Sequence, residues 1–94
     1  MLHIIKHSPF ELPALSQCLA SIGEADGLLL IEDGTYSLLQ LDSVLAALSA
    51  SNKLYVLTQD ATARGLSTDN NDVNWVDYAG FVNLTIEYPK SLSW

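Results

Sequence analysis

Cys18 is the one side chain in this sequence able to carry sulfur covalently: as a thiolate it can attack a persulfide and keep the terminal sulfur. Its setting points two ways. Leu15, Cys18, Leu19 and Ile22 recur at helical spacing, so the thiol falls on a stripe that packs into a core, where free cysteine behaves as a small hydrophobe. No basic residue lies within a helical turn to depress its pKa. Cys18 is therefore a candidate sulfur acceptor or a buried filler, and its exposure decides between them.

The remaining polar residues offer less. Glu32 and Asp33 fall at the carboxyl end of an apolar run, where open α/β sheets place ligands, yet Glu32-Asp33-Gly34 also reads as a solvated turn or a polar interface contact. His3 and His7 do not form a metal pair, because four residues of strand span about 13 Å. Asp60 reads as a helix cap and Arg64 as a last-turn cation. Receiver-type phosphoryl chemistry needs acidic residues after the first strand, where this chain has Lys6 and His7. The five glycines match neither the Walker nor the dinucleotide spacing, and no nucleophile elbow is present, so neither a nucleotide cofactor nor a hydrolase is expected. No metal site and no cofactor are expected.

Composition narrows the setting in which any such residue acts. The 94 residues make one domain, 1–94, since a second core would not fit. Eleven acidic against four basic side chains give a net charge of -7, which repels phosphate backbones and argues against direct nucleic-acid binding. The apolar runs are too short for a membrane span, and 1–7 lacks the apolar stretch of a signal peptide. A single cysteine forms no internal disulfide, so a reducing cytoplasm is the expected compartment. Hydrophobic residues make up 49% of the chain and charged ones 16%, a surplus that points to a partner surface.

The elements that position these residues alternate between strand-length apolar runs and helical periods, the pattern of a parallel sheet covered on both faces. Strands are expected at Leu2–Lys6, Leu28–Glu32, Lys53–Thr58 and Val73–Val76, with a short edge strand at Ser91–Trp94. Ser8-Pro9-Phe10-Glu11 has the chemistry of a helix start, and Pro13 separates that turn from a main helix over Pro13–Ile22 stopped by a left-handed Gly23. A second helix lies within Ser37–Ser49, its main part starting at Asp42, and a short one follows Asp60 and ends near Gly65. Ser67–Asp72 reads as a loop. Asp77 caps a last helix whose Tyr78, Phe81, Val82, Thr85 and Ile86 share the spacing of one buried face, and Pro89 ends it.

Taken in order, these segments resemble the TusB/DsrH family across nearly the whole chain. The resemblance rests on Met1-Leu2-His3 with Ser8-Pro9, on Glu32-Asp33-Gly34 with Tyr36, and on Leu54-Tyr55-Val56-Leu57 with Asp60 and Ala63-Arg64-Gly65-Leu66. Asp77-Tyr78-Ala79-Gly80-Phe81-Val82, Leu84-Thr85 and Trp94 complete it. It implies a flavodoxin-like three-layer α/β/α sandwich with a mainly parallel four- to five-stranded sheet. It also implies a non-catalytic subunit that joins TusC/DsrF-like and TusD/DsrE-like subunits in a dimer of heterotrimers. In the Tus branch such a complex takes persulfide sulfur from a TusA-like donor and passes it to a TusE-like acceptor, for 2-thiouridine at the tRNA wobble position. The carrier cysteine there belongs to the TusD-like subunit. Cys18, ten residues after Ser8, instead matches the DsrH branch, which serves sulfur oxidation, and keeps an acceptor role open. Tyr36, Phe81 and Trp94, with Glu32 and Asp33, are the interface candidates. A reading of another class, a flavodoxin-like small-ligand module, finds no phosphate motif to support it.

Overall fold

Parallel neighbours cannot be joined by a hairpin, so each strand must be followed by a crossover, and the crossovers decide what covers the sheet. In the computed structural model, which describes residues 1–39 and 43–94, the strands are β1 (Leu2–Ile5), β2 (Gly27–Leu30), β3 (Leu54–Leu57), β4 (Asn74–Val76) and β5 (Ser91–Ser93). They form one all-parallel sheet in the order β4-β3-β2-β1-β5. The helices are α1 (Ala14–Ser21), α2 (Ser43–Ala50), α3 (Thr58–Ala63) and α4 (Tyr78–Glu87), and a 3-10 segment runs over Glu32–Leu39.

Strands β1 to β4 are laid down in one direction, so right-handed crossovers put α1, α2 and α3 on one face. The return from β4 to β5 puts α4 on the other. The side chains follow. Leu15, Cys18, Leu45 and Ala61 pack with Ile5, Leu28, Leu30, Leu54 and Val56 on the first face. Leu84, with the half-buried Phe81 and Tyr88, packs against Leu2, Ile4 and Leu29 on the second. Strands buried on both faces explain the unbroken run Leu28-Leu29-Leu30, each residue wholly buried and worth roughly 1.5–3 kcal/mol of transfer free energy. The expected α/β sandwich and its five parallel strands are thus observed, the short β5 included. Among the described residues no helix is long and apolar enough to cross a membrane.

Four local expectations are corrected. Ser8 opens a turn and no helix: its Oγ accepts the Phe10 N–H (3.2 Å), and α1 starts only at Ala14, past Pro13. Gly23 is not left-handed; α1 ends through an extended Ile22, because the Gly23 N–H is taken by Asp26 Oδ2 (3.0 Å). The helix expected after Asp60 begins at Thr58, directly off β3, which places Asp60 inside its first turn. Most consequentially, α4 meets the sheet through Phe81, Leu84 and Tyr88, so Tyr78, Val82, Thr85 and Ile86 turn outward. The expected helix start at Asp42 lies outside the described residues.

Candidate functional site

The carboxyl edge of β2 and β3 is built by one tight turn. Ile31 N–H donates to the Ile5 carbonyl (2.9 Å), Glu32 adopts a left-handed φ of 48°, and Gly34 N–H closes onto the Ile31 carbonyl (2.8 Å). The turn presses against β1 so closely that a Cβ on Gly34 would lie 2.1 Å from the Ile5 carbonyl oxygen. Only glycine fits there.

This turn presents Glu32 and Asp33 to α3. Asp60 Oδ2 accepts the Glu32 N–H (2.7 Å), so Asp60 holds the neighbouring turn and does not cap its own helix. Arg64 Nε donates to Asp33 Oδ1 (2.8 Å) and its Nη1 to the Asp60 carbonyl (3.1 Å). The hydrogen bond to Asp33 holds the guanidinium charged, raising its pKa. Thr35 Oγ1 donates to the Glu32 carbonyl (2.7 Å). Of the acids at the position usual for a ligand, Asp33 is thereby paired with Arg64, and Glu32 is held through its backbone N–H by Asp60. Among the described residues no three metal-ligating side chains converge.

Of the interface candidates, Glu32, Asp33 and Tyr36 gather at this edge, Glu32 exposed and Tyr36 half-buried. Phe81 and Trp94 do not join them. Phe81 packs under α4 on one face of the sheet, and Trp94 closes the other face beyond β5. Cys18 lies mid-α1, fully buried against the first-face core. Burial pushes its thiol up to about 11, and the Asp26 charge adds to the shift. At neutral pH burial therefore favours the protonated, unreactive thiol.

A second polar cluster, unforeseen in the sequence, sits at the amino edge of the sheet. Trp94 Nε1 donates to His3 Nδ1 (3.2 Å), which fixes the proton on Nε2, and Nε2 donates to Asp26 Oδ2 (2.9 Å). Asp26 Oδ1 accepts from the Met1 ammonium (2.9 Å). The Gly23 N–H, then His3 and the ammonium, hold the Asp26 carboxyl well below the usual carboxylate range. The pair has the outline of a catalytic Asp–His dyad. However, His3 is 3% exposed and its second nitrogen faces an indole instead of a nucleophile. The cluster ties β1, the turn into β2 and the C-terminal Trp94 together. Its signal in the sequence is faint because its partners stand 23 and 91 residues apart.

Comparison with known proteins agrees with this architecture. The family model described as "DsrH like protein" matches residues 7–91. The chain is 40% identical to Protein TusB of Pectobacterium parmentieri and 36% identical to Protein TusB of Escherichia coli, in each case covering the whole of both chains. The solution structure of Protein Tm0979 from Thermotoga maritima superposes with a TM-score of 0.68 at 23% identity, covering 96% of this chain and 97% of that one, and shares the fold. With a family match across almost its full length and relatives aligned end to end, this chain belongs to the TusB/DsrH family.

Proposed function

We propose that this chain is the architectural B-type subunit of a cytoplasmic sulfur-relay complex that supports 2-thiolation of the tRNA wobble uridine. It assembles with TusC/DsrF-like and TusD/DsrE-like subunits as a dimer of heterotrimers, between a TusA-like donor and a TusE-like acceptor. The observation that carries this reading is the state of Cys18. A persulfide carrier needs an accessible thiolate, and the single cysteine of this chain is buried with its thiol pushed up to about 11. The carrier sulfur then belongs to another chain, and this one contributes surface. The TusB relatives favour the thiolation pathway.

A second reading, a DsrH-type subunit of a sulfur-oxidation relay with Cys18 as acceptor, draws on the match to the DsrH-like family model. It requires α1 to lift off the sheet before the thiol can react, at the cost of exposing Leu15 and its neighbours.

Assembly tests the first reading. Expressed alone, the chain is expected to self-associate or precipitate. Co-expressed with its two sister subunits, it is expected to elute with them as one monodisperse species in size-exclusion chromatography with light scattering. A stable monomer that ignores both sisters rules the reading out.

A further inference from the structure

Strand β5 is the least secured strand of the sheet. It lies at an edge, pairs only with β1, and its Ser91, Leu92 and Ser93 are all exposed. Backbone bonds fasten its ends: Leu2 N–H donates to the Lys90 carbonyl (2.8 Å), Trp94 N–H to the Ile4 carbonyl (2.8 Å) and Lys6 N–H to the Trp94 carbonyl (3.1 Å). With no buried side chain of its own, the strand is held to the body by the residue after it, the half-buried Trp94, which packs on the first-face core. Before it, Tyr88 is packed on the second face, so the segment between these two anchors is short and lightly held. We propose that residues 89–94 are a strap that opens while β1 to β4 stay folded, and that Asp26 holds it shut through His3 and Trp94. The inference concerns the single chain and does not rest on its reading as a subunit.

The latch is a chain of three hydrogen-bonded side chains. The Asp26 carboxylate is fixed by the Gly23 N–H (3.0 Å) and the Met1 ammonium (2.9 Å), and it accepts the His3 Nε2–H (2.9 Å). A carboxylate only accepts, so the ring proton sits on Nε2, and Nδ1 presents its lone pair to the Trp94 Nε1–H (3.2 Å). Asp26 and Trp94 share no hydrogen bond among the described residues, and the buried His3 ring relates the position of one to the other. Without the carboxylate, the Nε2–H of that ring loses its acceptor, and a ring that turns to find another carries Nδ1 away from the indole. Opening uncovers little. The strap takes the indole and the exposed Leu92 with it, while Leu2 stays packed against Leu84 and Ile5 against Leu15. Segments with so few buried contacts open locally at a fraction of the global unfolding free energy.

Hydrogen exchange of the full chain, read by mass spectrometry at high dilution, tests this by comparing deuterium uptake in 89–94 with uptake in β2 and β3. In the wild type the strap is expected to exchange well before β2 and β3, and uptake by all three at one rate overturns the proposal. Trp94→Phe and His3→Phe keep an aromatic ring and break the chain of bonds. Each is expected to speed strap exchange, relative to β2 and β3, by roughly fivefold or more. His3→Gln, whose amide can give an N–H to Asp26 and an oxygen to the indole, is expected to stay near the wild-type rate. Asp26→Ala is expected to speed the strap from a distance, and adding Trp94→Phe to it is expected to gain far less than the product of the two single effects. A full product shows that Asp26 and Trp94 act independently and overturns the latch. Should Asp26→Ala fail to fold, the two His3 variants decide alone: a faster strap in His3→Phe than in His3→Gln supports the latch, and equal rates overturn it.

Discussion

Gly34→Ala is expected to destabilise the fold by about 3 kcal/mol or more, read as a fall in the midpoint of urea unfolding. The added methyl would lie 2.1 Å from the Ile5 carbonyl oxygen and 2.7 Å from its carbon. Both are backbone atoms of a buried strand, which no side-chain rotation can clear. The turn after β2 must move instead, and it carries Glu32 away from Asp60 Oδ2 and Asp33 away from Arg64. Gly65 provides the contrast. Its φ of 70° is equally unsuited to alanine, yet nothing lies within 4 Å of its missing Cβ, so the same substitution there costs only about 1 kcal/mol. Equal destabilisation at the two glycines would show that the contact with Ile5 is not what requires Gly34.

Asp26→Ala is expected to cost about 2–3 kcal/mol, since it leaves the buried His3 and the Met1 ammonium without their acceptor. The acid limb of the stability curve identifies the cause. In the unfolded chain an aspartate titrates near 3.9, and in the folded chain Asp26 is held lower by the Gly23 N–H, His3 and the ammonium. The folded state therefore binds fewer protons than the unfolded one as the medium acidifies. Asp26 contributes its full stabilisation above the unfolded value, and that contribution is lost as pH falls toward the folded one. Between wild type and Asp26→Ala, the gap in unfolding free energy is expected to be constant from neutrality to about pH 5 and to narrow progressively as pH falls below the unfolded value. A gap still constant below the unfolded value would mean that the loss is one of packing and not of charge.

These two clusters show where sequence reasoning reaches and where it stops. Strands β2 and β3 were legible because burial on both faces demands consecutive apolar residues, and Leu28-Leu29-Leu30 and Leu54-Tyr55-Val56-Leu57 display that demand locally. The stop near Gly65 and the cap at Asp77, whose Oδ1 accepts the Gly80 N–H (2.8 Å), were legible for the same reason: each is settled within four residues. Contacts across the fold were not. Asp60 had every mark of a cap, yet its carboxylate serves Glu32, 28 residues earlier. Nothing near Asp26 announces that His3 will reach it.

Helix α4 misled for a different reason. Its outward stripe carries the period of a buried face, as the sequence suggested, but the fold of a single chain already supplies Phe81, Leu84 and Tyr88 to cover the sheet. Periodicity reports that a face is apolar and does not report which chain covers it. The same limit applied to the candidate site. Leu15, Cys18, Leu19 and Ile22 placed the thiol on a packing stripe, and only the three-dimensional arrangement shows it fully enclosed between α1 and the sheet.

On the proposed reading this chain supports sulfur transfer without carrying sulfur. Its most direct test charges the complete assembly with a persulfide donor, once with the wild-type chain and once with Cys18→Ala, and follows sulfur by mass spectrometry of each separated subunit. Added sulfur is expected on a sister subunit and none on Cys18, with delivery to the acceptor at an unchanged rate in the Cys18→Ala assembly. Sulfur found on Cys18 of the wild type, with delivery arrested in an intact Cys18→Ala assembly, would contradict it.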